Sequence, residues 1–577
     1  MNGFPYLVVL IALPLVGAGV VAFMGGAPVR TVKSVALGFS LVEFVMAVVL
    51  WIAYTHPAAQ IGSGSFSAAD SPFRQTFSVD WIRSFGIHFS LGVDGISLVM
   101  IALIAFLVPI VLGASWEEKV PQGRTVGGYF ALILVMQAAM TGVFAATDVF
   151  VFYVMFEVML IPMYFLIGAF GGVRRAYAAT KFFLYSLIGG LLMLASIIAL
   201  FVASGRTPDR AGLGGTLDWN TLRNIAHEIP PSTQMWIFAG FAIAFAIKAP
   251  LVPLHTWLPD AGSEAPVGAG TLLVGVLDKV GTFGFLRICL PLLPAASSRL
   301  AWLIITLAVV GIIYGAIVAA GQSDLKRFVT YTSIAHFGFI ALGVFAFTTQ
   351  SISGAVLYMV NHGLATALLF LVVGMLTARG ASRNIADYGG VWKVAPLLGG
   401  FFLIGALATI AMPGTNSFVS EFLVLIGTFS RYPAWAVVAT TGIVFAAVYM
   451  LWIFQRTMTG PVRGAAVLQQ EPDDESPLGG PTGRPSLPSG ARATTATLAH
   501  QPTAVKVRFG DLTKREIGVL TPLVVLIIFL GVYPKPVLDV INPTAEQTVG
   551  WSCHTDPVPA HAAAAGTTAV TISEGCQ

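Results

Sequence analysis

Apolar runs of about twenty residues follow one another along this chain, and that is the length a helix needs to cross a bilayer. Fourteen such runs can be read, near 4–23, 34–54, 91–113, 127–146, 148–170, 181–203, 234–252, 267–290, 300–320, 329–347, 354–378, 396–427, 434–456 and 517–534. Lipid offers no hydrogen bonds, so each run must satisfy its own amides and carbonyls, which makes it helix. Composition agrees, since 56% of the 577 residues are hydrophobic and 10% are charged, against about 25% charged in soluble domains. The sequence predicts an all-α polytopic membrane protein with about fourteen transmembrane helices. The net charge of +4 is too small to point to nucleic acid. The first run lacks a basic leader, so it reads as a span and not as a cleaved signal peptide.

Lys and Arg are unevenly shared between the connections. One side carries Arg30, Lys33, Lys119, Arg124, Arg174, Arg175, Lys181, Lys326, Arg327, Arg379, Arg383, Lys393 and a cluster from Arg456 to Arg515. The other has fewer, among them Arg74, Arg83, Arg287 and Lys535. The rich side is the cytoplasmic one, which puts both termini outside. The connection 459–515 is rich in Pro, Gly, Ser and Thr without periodicity, so it reads as disordered or loosely draped in the cytoplasm. The tail after Lys535 reads as mobile. Its Cys553 and Cys576 lie on the oxidising side and could pair, although nothing in the sequence fixes their geometry.

Four of the ionisable residues in the apolar runs stand out: Glu157, Lys248, Lys279 and, just past an interruption, Glu421. A charge at the centre of a membrane helix costs about 2.5–3.5 kcal/mol even on the lenient insertion scale, and its default reading is an ion or proton pathway. Lysine suits proton transfer because its pKa moves readily on burial. Glu157 and Lys248 could form a buried ion pair whose weakening releases the lysine proton towards Lys279. The plainer readings are a pair that only locks helices together, a Lys279 that snorkels to an interface and a structural Glu421. Asp94, Asp260 and Glu264 lie near span ends, where capping is as good a reading as proton access. Arg174, Arg175 and Lys181 fix orientation or contact anionic lipid head groups.

Two runs are broken at membrane depth. The segment KAPLVPLHTWLPDAGSEAPVGAG contains Pro250, Pro253, Pro259 and Pro266, and MPGTNSF contains Pro413, Gly414 and Asn416. Proline removes an amide donor, and the freed backbone is tolerated only where protein or a hydrated cavity covers it. The breaks fall in spans seven and twelve, five apart. That spacing predicts two five-helix repeats, spans four to eight and nine to thirteen, and such paired interruptions point to a transport pathway. The resulting division is 1–126 for the first three spans, 127–292 and 299–458 for the repeats, 459–515 for the loop and 516–577 for the last span and tail. No CxxC, GxGxxG or P-loop pattern appears in a suitable place, and Cys289, Cys553 and Cys576 lack metal-ligand spacing. The residues therefore offer no visible site for flavin, haem, iron–sulfur cluster, nucleotide or metal.

The stretches LGVDGISL (91–98), FEVMLIPMYFLIG (156–168), KAPLVPLHTWLPDAGSEAPVGAGTLLVGVLDKVGTFGFLR (248–287), SDLKRFVTYTSIAHFGFIALG (323–343), VNHGLATALLFLVVGML (360–376) and MPGTNSFVSEFLVL (412–425) closely resemble the antiporter-like, proton-translocating membrane subunits of respiratory complex I, the bacterial NADH-quinone oxidoreductase, in its subunit M branch. The resemblance implies two inverted five-helix bundles around a polar mid-membrane axis. It implies an essential glutamate at Glu157, its lysine partner at Lys248, a central lysine at Lys279 and an acidic residue at Glu421 that passes charge onward. It implies that His336 and His362 bridge the two halves. A lone membrane histidine also often just bonds a neighbouring helix. It further implies a bacterial inner-membrane location, the L and N antiporter-like subunits as neighbours, and FMN, iron–sulfur clusters and quinone in partner subunits, with none on this chain.

Two positions depart from the family pattern. Gly262 stands where a histidine is common, so a relay through that imidazole is not expected here. Asp278 stands where an aliphatic residue is usual, and adjacent helical residues point about 100° apart, so it need not pair with Lys279. Three other readings remain: a subunit of a multisubunit cation/proton antiporter, the membrane arm of a proton-pumping hydrogenase, and a purely structural scaffold.

Overall fold

A computed structural model of the chain describes residues 4–55, 71–118, 120–469, 506–507 and 509–557. Among these residues, eleven helices are long and apolar enough to cross a membrane. Their starts are set by side chains that accept otherwise orphaned amides: Asp94, Thr125, Asp148, Asp324 and Thr348 each cap the helix that follows.

Burial sorts these helices into core and periphery. The most apolar window of Thr349–Gly380 is 100% buried and that of Leu325–Phe345 94%, whereas those of Val29–Thr55 and Lys514–Val532 are 28% and 22% buried. A helix that is apolar all round belongs in a protein core or against lipid, and this chain has both kinds. Small residues let backbones approach, as membrane packing requires. Gly315 lies against the Ala335 backbone, and Gly338 against Ala308 and Ile312. These contacts join Pro294–Ala320 to Leu325–Phe345.

Three apolar runs are not single long helices. Pro231–Lys248 stops at its lysine, and the chain turns through 249–256 before Trp257–Glu264. Pro396–Thr409 and Asn416–Phe429 are separated by an irregular 410–415, in which Gly414 has a φ of 92° that glycine adopts readily. The run read as 267–290 is composite. Val267–Leu272 leads into a π-helical turn, Leu273–Leu277, then Lys279–Gly284, a second π turn, Phe285–Cys289, and Leu290–Leu292. Such wide turns are rare and frequently mark functional sites.

The all-α expectation is corrected by a β-hairpin. Arg74–Ile82 pairs antiparallel with Ile87–Val93, turning at Gly86, whose φ is 59°. The alternation in RQTFSVDWI is the strand signal, and it places Leu91–Val93 in the hairpin, so the third span starts at Gly95. The tail is corrected as well. Lys535–Trp551 is a helix that buries Val540, Ile541, Thr544, Ala545, Thr548 and Val549, a one-sided stripe that Pro543 obscures. Its Thr544 hydroxyl accepts from the Gly95 amide at 3.1 Å. In the long connection, Leu468–Gln469 pairs with Lys506–Val507; most of the expected disordered segment lies outside the described residues, as does Cys576. Cys289 is buried and free.

Candidate functional site

Glu157 lies one residue before the end of Val149–Val158. Its carboxylate rests against Gly190 of Arg175–Ser204, where a β-carbon would collide with it. Lys248 is the last residue of its helix and 1% exposed. A cation is favoured there by the unsatisfied carbonyls of the helix end. The ammonium stands 5.1 Å from the Phe156 ring centre and 5.4 Å from that of Phe182, a cation–π cradle. Neither Glu157 Oε1 nor Lys248 Nζ has a hydrogen-bond partner. The anticipated direct ion pair is absent: among the described residues no contact within 4.0 Å joins the two. They face one another beside the same helix without contact, and their charges still act on each other.

Lys279 and Asp278 are both 0% exposed, and Nζ of the lysine lies 3.0 Å from Asp278 Oδ1. The lysine also donates to the Val274 carbonyl. Adjacent side chains on a regular α-helix diverge, so the sequence left this pairing open, and the structure makes it. The physical reason is the π turn Leu273–Leu277, directly before Asp278, which turns the Val274 carbonyl towards Nζ. Lys279 Nζ is also 5.1 Å from the Phe337 ring centre.

Across Phe337 lie the two histidines. His336 is on Leu325–Phe345 and His362 on Thr349–Gly380, with ring centres 5.3 Å apart. His336 Nδ1 is 2.6 Å from the Tyr358 hydroxyl, and neither His362 nitrogen has a partner. Glu421, 5% exposed on the helix after the second break, lies near enough to Tyr358 for its charge to act on that phenol. A phenol can accept from an imidazole N–H and donate to a carboxylate at once, and Tyr358, bonded to His336, stands beside Glu421 with that capacity.

Each break is closed by a side chain. Trp257 Nε1 donates to the Ile247 carbonyl at 2.7 Å. Asn361 Nδ2 donates to the Asn416 carbonyl at 2.7 Å and to Ser420 Oγ at 3.1 Å. The structure therefore brings Lys279, His336 and His362 together around Phe337, places Glu421 beside the Tyr358 that bonds His336, and leaves Glu157 and Lys248 unpaired.

The residues at span ends have structural partners. Asp260 binds Lys181 and Arg327, each at 2.7 Å. Burial opposes its charge, but those hydrogen bonds outweigh burial and hold its carboxyl below the ordinary range. Glu264 takes Arg383 at 3.2 Å and the Arg174 amide at 3.0 Å. Asp94 accepts from the Ser97 amide at 2.9 Å and pairs with Arg287. Arg287 is 3% exposed, so it is a buried clamp and not a loop charge. At Gly262 a β-carbon would run into Thr330, which accounts for the missing imidazole.

Sequence reasoning missed Tyr358, Asn361 and Glu43. Glu43 is 0% exposed on Val29–Thr55, and only the Thr141 hydroxyl, at 3.4 Å, meets its Oε1; Oε2 has no partner. Its signal was plain, a single acid in the apolar run FSLVEFVMAVV. Tyr358 and Asn361 carry no such signal, because uncharged polar residues are common in membrane helices. Among the described residues no group of three or more His, Cys, Asp and Glu could hold a metal ion.

A family model described as NADH:quinone oxidoreductase/Mrp antiporter, TM, matches residues 146–446, which span both breaks and all six candidate residues. NADH-quinone oxidoreductase subunit M of Mycobacterium tuberculosis is 42% identical over 97% of this chain and 96% of its own. The subunit M of Rhodobacter capsulatus is 34% identical over 93% and 95%. NADH-ubiquinone oxidoreductase chain 4 of Arabidopsis thaliana is 33% identical over 94% and 96%. A chain of respiratory complex I from Thermus thermophilus with bound NADH superposes with a TM-score of 0.75 at 28% identity, covering 95% of this chain and 99% of that one. A chain of the Mrp complex from Dietzia sp. DQ12-45-1b gives the same TM-score at 20% identity, over 95% and 98%, a likeness of fold. The chain belongs to this family of antiporter-like membrane subunits, and within it to the subunit M family of NADH-quinone oxidoreductase.

Proposed function

We propose that this chain is a proton-translocating subunit of the membrane arm of NADH:quinone oxidoreductase. Protons move along a mid-membrane axis of Glu157, Lys248, Lys279, His336, His362 and Glu421, driven by quinone reduction elsewhere in the assembly. The observation that carries the reading is Lys248, a buried ammonium at the end of an interrupted helix with no hydrogen-bond partner. An unpaired buried ammonium is costly, so its protonation responds to small changes in the charge acting on it, and Glu157 is the charge that acts on it most strongly. Moving Glu157 away favours proton loss from Lys248; moving it closer favours recapture.

The reading includes fourteen crossings, two inverted five-helix repeats over 127–292 and 299–458, a cytoplasmic 459–515 loop and outward termini in a bacterial inner membrane. The eleven long helices, together with the three interrupted runs, support that count. The L and N antiporter-like subunits are its neighbours, with lipid around it. FMN, iron–sulfur clusters and quinone belong to partner subunits, and this chain carries no redox centre.

The second reading, a subunit of a cation/proton antiporter, is favoured by the equal superposition on the Mrp complex chain. Mild extraction of the tagged chain separates the two. NADH:quinone reductase activity in a large assembly with flavin and iron–sulfur signals supports the first reading, and a smaller assembly without that activity supports the second. In vesicles of the active assembly, Glu157→Gln and Lys248→Ala are expected to lower the protons translocated per NADH. Unchanged translocation in both would remove the axis from the account.

A further inference from the structure

Asp278 is the buried acid whose geometry the six-residue axis leaves unexplained. It is 0% exposed. Its Oδ1 takes the Lys279 ammonium at 3.0 Å, while Oδ2 is buried without a partner. One turn on, Gly281 packs against the Ala249 amide and the Phe245 carbonyl. Residues three apart share a helix face, so Asp278 looks towards the helix end that carries Lys248, and the two charges act on each other. Between the two lysines of the axis there is thus one carboxylate with one oxygen engaged and the other free.

We propose that Asp278 is a proton-carrying group placed between Lys248 and Lys279. The proposal rests on the mid-membrane axis described above. The step begins with Lys248 as ammonium, Asp278 as carboxylate and Lys279 as neutral amine. Lys248 Nζ and Asp278 Oδ2, both unpartnered in this arrangement, come within hydrogen-bond reach directly or through one water; an N–H bond of Lys248 then breaks as an O–H bond forms on Asp278 Oδ2. The carboxyl group then turns about its Cβ–Cγ bond so that Oδ2 takes the place of Oδ1 beside Lys279 Nζ, and its Oδ2–H bond breaks as an N–H bond forms on the lysine. The outcome is a neutral Lys248, an ionised Asp278 and a charged Lys279, the last two held in the contact at 3.0 Å. No oxidant or reductant takes part. The carboxylate also keeps the proton on Lys279 until charge elsewhere on the axis draws it on.

The titratable groups facing the pair are few. Pro231–Lys248 contributes Lys248, Leu325–Phe345 contributes His336, and Thr349–Gly380 contributes His362 and Tyr358. Gly95–Ala114 contributes none, and Val126–Ala145 contributes only Tyr129, bonded to Ser115.

The test uses the intact assembly in sealed vesicles, with protons translocated per NADH followed as a function of pH. Asp278→Asn keeps the shape and an acceptor for Lys279 but cannot carry a proton, and its translocation is expected to fall about tenfold or more. Asp278→Glu is expected to keep translocation with a displaced pH profile. Normal translocation and profile in Asp278→Asn would overturn the proposal, because packing alone tolerates the amide. If Asp278→Asn does not assemble, Asp278→Glu decides: a displaced profile supports the role and an unchanged one overturns it. Lys279→Met is the companion variant. Its normal translocation would overturn the axis, and the proposal with it. Its loss, beside full activity of Asp278→Asn, would overturn the Asp278 role alone.

Discussion

Asn361 and Asn416 bind each other's backbone reciprocally. Nδ2 of Asn361 donates to the Asn416 carbonyl at 2.7 Å, and Nδ2 of Asn416 donates to the Asn361 carbonyl at 3.0 Å. The two bonds tie Thr349–Gly380 to the first turn of the helix that follows the break at 410–415. Both residues are 0% exposed. Asn361→Ala leaves those buried groups unmatched, at an expected cost of about 1–3 kcal/mol. A lowered midpoint in thermal unfolding of the purified assembly checks it; an unshifted midpoint would show that water replaces the amide without loss.

Tyr358 offers a cleaner separation of chemistry from packing. Tyr358→Phe keeps the ring beside His336 and removes the hydroxyl that bonds His336 near Glu421. On the axis reading, protons translocated per NADH fall on the order of tenfold while assembly is retained. Vesicle proton uptake measured beside NADH oxidation reads both. Full translocation would mean that protons pass His336 and Glu421 without this phenol.

Gly262 tests the departure from the family pattern. Gly262→Ala places a methyl against Thr330 Cγ2, and overpacking of this kind costs about 1–3 kcal/mol. Thr330→Ser removes that methyl while keeping a hydroxyl that can donate to the Arg327 carbonyl, a bond now 2.8 Å long. Combining the two is expected to recover most of the lost assembly yield. Equal yields for Gly262→Ala and the native chain would show that the space is larger than the backbone geometry implies.

Asp260 predicts a direction for acid sensitivity. Its folded pKa lies below the unfolded value of about 3.9. The stabilisation is therefore fully present above that value and is lost as pH falls through the folded pKa. Asp260→Asn should lower the unfolding midpoint near neutral pH and flatten its decline on the acid side. Unfolding curves of both proteins across that range give the comparison, and parallel acid declines would remove Asp260 from the account.

Much of this molecule was legible because lipid leaves a chain few options. Apolar runs near the bilayer length had to be helices, and the observed helices Tyr6–Phe23, Val126–Ala145 and Pro433–Met458 begin and end close to those runs. Charges inside such runs are costly enough to stand out, which is why Glu157, Lys248, Lys279 and Glu421 were named from residues alone. Prolines at 250, 253 and 413 marked the broken segments because a missing donor cannot be hidden in hydrocarbon.

What only the tertiary structure decided is how those groups meet. Whether Glu157 touches Lys248 depends on how two helices lean on Gly189 and Gly190, which no spacing rule encodes. The Asp278–Lys279 contact depends on one π turn, a small change of winding that local propensity does not specify. Tyr358 and Asn361 matter because Thr349–Gly380, the most buried of the long described helices, carries them to His336, Glu421 and Asn416, residues 22, 63 and 55 positions away. The sequence alone determined that charge would be held at mid-membrane, since transfer energy depends on residue type and run length. Partners and paths were settled by packing, because hydrogen bonds and ion pairs act over a few ångströms and only the folded chain sets those distances.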